Sequence, residues 1–156
     1  MNSKILSFFC KLLICSLFLV GWTISSSAKE PSKNSFEKAH ALFEKGNLLT
    51  QKKEFKKAIS TYEKSIKLDP SLPSVHYNLA NIYVAEGDFD KAIGAYKKAI
   101  QLNPKMSDYH RNLGFAYALS KDGENAKKKY EELKEMDPVQ AEVLFVWIQQ
   151  GKEAKK

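Results

Sequence analysis

Three short stretches decide how this chain is read: Lys67-Leu68-Asp69-Pro70, Gln101-Leu102-Asn103-Pro104 and Glu135-Met136-Asp137-Pro138. Each runs polar, apolar, Asp or Asn, proline. The prolines stand 34 residues apart both times. Other columns keep the same interval: Tyr62, Tyr96 and Tyr130; Ala58, Ala92 and Ala126; and, with one conservative change, Leu49, Tyr83 and Tyr117. Four columns in register at one spacing mark an internal repeat, with units at 39–72, 73–106 and 107–140.

Within a unit the spacing is helical. In the middle unit His76, Leu79, Ala80 and Tyr83 fall at i, i+3, i+4 and i+7, one stripe along a helix. Gly87-Asp88 breaks that helix, and Asp88 is placed to cap the next one. Ala92, Tyr96, Ala99 and Ile100 form the second stripe. Asn103-Pro104 ends it, because proline disfavours helix at the residue before it. Pro73 stands at a helix start, where its missing N–H is not needed. Gly46, Ala80 and Gly114 are small where a first helix must approach its second, and Ala58, Ala92 and Ala126 answer from the other side. No single unit can bury its own apolar face, so the units must stack.

These residues resemble the tetratricopeptide repeat family. Leu79, Ala80, Tyr83, Ala92, Tyr96, Ala99 and Pro104 fall on its signature slots. The chain departs from the pattern where Leu42, His76 and His110 take the first large slot, where Lys45 replaces an apolar residue and where Leu133 replaces a small one. The resemblance implies an all-α fold: a right-handed superhelical solenoid of three helix pairs within 36–150, closed by a capping helix at 141–150. It also implies a concave groove lined by the first helices. The family's groove slots hold Phe43, Asn47, Tyr77, Asn78, Asn81, Arg111, Asn112 and Phe115. Asparagine amides both donate and accept, which suits the backbone of an extended peptide, and aromatics supply apolar anchors. Members that grip a C-terminal carboxylate do so with lysines, an arginine and two asparagines. Asn47 and Asn78 match the asparagines, but Phe43 and Asp108 take the lysine slots and Asn112 the arginine slot, so no carboxylate clamp is expected.

Val143-Leu144-Phe145-Val146-Trp147-Ile148 is six apolar residues in a row, more than one helix face can hide. Leu144, Trp147 and Ile148 are expected to seal the third unit. Phe145, Val146 and Trp147 form a candidate second patch for a partner or for self-association. Gly151 and the basic tail 151–156 are expected to fray.

At the other end, residues 1–28 read as a secretory signal peptide. Lys4 and Lys11 precede the apolar run Leu12 to Trp22, and Ser26 and Ala28 suit a cleavage site, with the cut after Ala28. Export to a periplasmic or extracellular space follows, with residues 29–35 as a flexible lead-in and Ser35 as N-cap of the first helix. An uncleaved membrane anchor is the alternative; its clean apolar run is short of the roughly 20 residues a bilayer span needs. Lipidation at Cys15 is the third, disfavoured by bulky Ile14. Both cysteines, Cys10 and Cys15, lie in this segment, so a cleaved chain holds no thiol chemistry.

The 156-residue chain carries a net charge of +7, and residues 29–156 hold 23 basic and 18 acidic groups. Arg111 is the only arginine, and the lysines alternate with acids along helices, which speaks for solvated faces and against nucleic-acid binding. His76 and His110 share one packing slot in adjacent units and are expected to be structural. No metal-ligand spacing, phosphate loop or nucleophile elbow occurs, so neither catalytic residue, metal nor cofactor is expected. The partner expected is a protein or peptide, with a membrane reached only through the N-terminal segment or a partner.

Overall fold

The computed structural model describes residues 33–153, and their side chains over 33–150; all of these belong to one unit, Pro31–Lys156. The segment 1–28, with its signal-peptide reading, lies outside the described residues. Among the described residues there are seven α-helices and no strand. They are α1 (Lys33–Gln51), α2 (Phe55–Leu68), α3 (Pro73–Glu86), α4 (Phe89–Leu102), α5 (Ser107–Leu119), α6 (Gly123–Met136) and α7 (Pro138–Glu153). Among them no helix is long and apolar enough to cross a membrane.

Each helix packs on its sequence neighbours: α1 on α2, α3 on α4, α5 on α6, with α2–α3, α4–α5 and α6–α7 linking the pairs. Helix ends sit where the punctuation puts them. Asp88 and Asp122 accept from the backbone N–H of Lys91 and Asn125 at 3.3 and 3.1 Å. Asp69, Asn103 and Asp137 leave the helical region at the last residue before each proline or proline-helix start. Pro73 opens α3. The turn inside each pair needs one left-handed residue: Gly87 at φ 79°, but Lys53 at 60° and Lys121 at 67° in the equivalent places.

The core repeats with the sequence. Ala58, Ala92 and Ala126 are each 0% exposed, and Tyr62 and Tyr96 are buried beside them. A Cβ on Gly46 would press into the Tyr62 ring, so α1 and α2 meet here without room for a methyl group. Ser65 Oγ bonds to the carbonyl of Ala39 at 2.7 Å, tying α2 to α1 through a buried polar contact. His76 and His110 are buried, and each Nε2 lies close to a carbonyl oxygen, Pro70 at 3.2 Å for His76 and Pro104 at 2.9 Å for His110. A carbonyl only accepts, so Nε2 carries the proton and the ring pins the inter-pair linker.

Several boundaries differ from the sequence reading. Helix α1 already includes Lys33 to Ser35, so Ser35 lies inside it; no proline or glycine between Pro31 and Gly46 interrupts it. Helix α7 starts at Pro138, three residues before the expected 141, because Asp137 accepts from the Gln140 N–H at 3.1 Å and proline fits a first turn. It also runs on to Glu153, past Gly151.

Lys45, the polar intruder in unit one, is explained by position. Its counterparts Leu79 and Leu113 are buried among neighbouring helices. Lys45 is exposed on α1, the first of the described helices, and no described helix stacks ahead of it.

Candidate functional site

The predicted groove residues do not stand free; most are wired to one another. Asn47 Oδ1 accepts from Tyr62 Oη at 2.7 Å and from Asn78 Nδ2 at 2.7 Å. One unit on, Asn81 Oδ1 accepts from Tyr96 Oη at 2.5 Å and from Asn112 Nδ2 at 3.3 Å. The motif is thus one asparagine of a first helix joined to the tyrosine of its own second helix and to an asparagine of the next first helix. Asn112 Nδ2 also donates to Tyr77 Oη at 2.9 Å. Burial pushes the Tyr62 phenol upward and, with Tyr77 beside it, pushes Tyr96 far above the usual tyrosine range, so both keep the proton they donate.

The aromatics line the same side. Tyr77 packs against Tyr96 and Tyr109 with ring centroids 5.9 and 4.8 Å apart, and Phe43 lies 6.2 Å from Tyr62. Between α1 and α3 an open cavity of about 290 Å³ is lined by Asn47, Thr50, Gln51, Tyr62, Asn78 and Asn81. Thr50 Oγ1 is tied to the Gly46 carbonyl at 2.9 Å, and its side chain lies 3.3 Å from Tyr62 Oη.

The third unit is different. Phe115 stands where Asn47 and Asn81 stand in the first two, so the amide chain stops. Tyr130, with no amide to meet, packs against Phe145 at 5.3 Å and is only half-buried. Helix α7 leans on α5 as well as α6. It sets Trp147 against Phe115, 5.1 Å between centroids, and Gln140 against the Arg111 guanidinium. Arg111 is further held by Asp108 at 2.9 Å, stacks 5.9 Å from the Phe115 ring and donates to Asn112 at 3.2 Å. The only arginine is therefore neutralised and 22% exposed. Of the eight expected groove residues, Asn47, Asn78 and Asn81 share the open cavity; Phe43 and Tyr77 pack on tyrosines; Asn112 ties α5 to Tyr77 and Asn81 of α3; Arg111 and Phe115 belong to the α5–α7 junction.

The apolar patch on α7 is also rearranged. Leu144 is 0% exposed, and it and Ala141 join Leu133 in a small core with Phe115, Tyr130 and Ile148 packed on it. Phe145 turns to Tyr130. Val146 and Trp147 instead line a shallow apolar groove of about 670 Å³ with Pro138, Val139 and Val143, of which Val139 is 72% and Val143 47% exposed. The patch picked from the sequence, Phe145, Val146 and Trp147, left out both valines: Val143 because six apolar residues in a row carry no phase, and Val139 because it lies ahead of the run.

Among the described residues no three His, Cys, Asp or Glu side chains come together as metal ligands. His110 Nδ1 is buried without a hydrogen bond, 3.9 Å from the Glu132 carboxylate.

Comparison with known proteins agrees with this architecture. A family model described as TPR repeat matches residues 46–87 and 80–120. The first TPR domain of Spaghetti (RPAP3), solved with the HSP90 peptide SRMEEVD, is 29% identical with TM-score 0.67 over 75% of this chain and 94% of that one. The first TPR domain of human RPAP3 is likewise 29% identical, with TM-score 0.68 over 77% of this chain and 96% of that one. The N-terminal domain of stress-induced protein-1 from C. elegans shares the fold at 22% identity and TM-score 0.68, over 78% of this chain and 99% of that one. Sequence comparison with curated proteins finds no match. Repeat spacing, packed alanine and tyrosine columns, family model and solved structures agree: this chain is a tetratricopeptide repeat protein.

Proposed function

We propose that the chain is a non-catalytic interaction scaffold that holds a peptide or protein segment in the cavity between α1 and α3. One observation carries the reading. The internal bonds of Asn47 and Asn81 use their Oδ1 atoms, and among the described residues their Nδ2 groups have no recorded partner. Two neutral donors beside an aromatic wall can meet the carbonyls of an extended guest. The related domain solved with an HSP90 peptide supports the same use of the fold.

The chain is exported in this reading, and its N-terminal segment is removed after Ala28. N-terminal sequencing of the mature protein from the envelope tests this, and a chain still beginning at Met1 contradicts it. Groove function is tested by capture from the same fraction with Tyr77→Ala plus Asn78→Ala as control. Capture that survives both changes removes the groove from consideration.

A second reading rests on the exposed Val139, Val143 and Val146 stripe. Here α7 docks on a second copy or on a membrane assembly. Loss of capture or of self-association in Val139→Asp plus Val143→Asp, with the groove variant unaffected, favours it.

A further inference from the structure

The groove's charge and its spent hydrogen bonds narrow the guest. None of the six residues lining the cavity is charged. At one end of this side of the molecule stands Glu44, one turn before Asn47 on α1. It faces His40 Nε2 at 3.9 Å, an exposed contact longer than a hydrogen bond. Three residues apart, Glu44 and Asn47 share one face of α1, so the carboxylate stands beside the cavity that Asn47 lines. At the other end the one guanidinium is taken by Asp108 and Gln140.

Hydrogen-bond capacity points the same way. Asn47 and Asn81 each accept two bonds on Oδ1 and keep Nδ2 for a guest. Asn78 gives one N–H to Asn47 and keeps Oδ1, for which no partner is recorded among the described residues. Two donors and one acceptor, all neutral, match alternating peptide C=O and N–H groups. A terminal carboxylate needs charge-assisted donors, and the cavity offers none while Glu44 opposes a second negative charge.

We infer that the groove takes an internal, extended peptide segment, neutral along the cavity and basic at the residue facing Glu44, and that it rejects acidic chain ends. This rests on the groove reading given above. It also separates this chain from the RPAP3 domain solved with SRMEEVD, an acidic terminal peptide.

The test uses an array of short synthetic peptides, each made with blocked ends and again with a free C-terminal carboxylate, probed with the purified chain. SRMEEVD is included in both forms. Free forms are expected to bind no more tightly than blocked ones, with bound sequences rich in Lys and Arg and poor in Asp and Glu. Glu44→Gln should weaken basic peptides by about two- to fivefold and leave neutral ones unchanged, the scale of one exposed ion pair. Binding that needs the free carboxylate, a preference for acidic peptides, or a Glu44→Gln profile identical to the parent's overturns the inference while leaving the groove as guest site. Binding to no peptide, or binding untouched by Tyr77→Ala plus Asn78→Ala, overturns both.

Discussion

Leu144 of α7 occupies the space a side chain at Gly114 of α5 would need: a Cβ on Gly114 would lie 2.5 Å from Leu144 Cδ2. The closing helix is therefore keyed into α5. Leu144→Ala removes the key and leaves a void, at a cost of about 2–5 kcal/mol. Gly114→Val, which forces the key out, should also destabilise. Urea denaturation of both variants checks this. A Leu144→Ala midpoint equal to the parent's would mean that α7 does not close the stack this way.

Tyr96 and Asn81 provide the second expectation. Tyr96→Phe deletes the phenol proton that Asn81 Oδ1 accepts and leaves this half-buried acceptor with only the longer bond from Asn112. A loss of about 0.5–1.5 kcal/mol follows. Tyr130→Phe, where the recorded contact is ring to ring, should change little. Thermal unfolding of the two variants side by side tests whether the tyrosine column does two different jobs.

The stability of the stack should fall in mild acid. Burial first, and the charge of Lys98 further, hold the His76 imidazole below its ordinary value of 6.5, while its bond to the Pro70 carbonyl opposes them. With the folded value depressed, the unfolded chain binds the proton more readily. The contribution is fully present above about 6.5 and is lost as pH drops through the folded value. His76→Gln should flatten this part of the stability–pH curve. An unchanged slope between pH 7 and 5 would contradict the assignment.

Two turns carry lysine where the backbone asks for glycine. Lys53→Gly and Lys121→Gly relieve left-handed geometry that Gly87 already meets without a side chain. Each should stabilise the fold by up to about 1 kcal/mol. Gly87→Lys should do the reverse. Differential scanning calorimetry on the three variants reads the sign directly.

Helices and their packing columns were legible because proline, glycine and alanine act locally or at a fixed interval: Pro104 ends a helix, and Ala92 must be small wherever its unit lies. The site was legible only as a set of slots. That Asn81 spends its oxygen on a tyrosine 15 residues away depends on how α3 meets α4, which no spacing rule states. Asp108 reaches Arg111 by an ordinary i,i+3 spacing along α5, but the approach of Gln140 to the same guanidinium depends on how α7 meets α5. Val139 and Val143 stayed outside the candidate patch because the run Val143 to Ile148 offers several helical phases and only the seat of Leu144 selects one. Tyr130 kept its column but changed partners, since Phe115 denies it an amide.

Lys45 sets a rule for how such a molecule can lengthen over evolutionary time. A duplicated segment inserted ahead of α1 would trap an ammonium group where Leu79 and Leu113 are shut away from water. Growth at that end would require the lysine to mutate first. Copies added between existing segments would meet no such barrier.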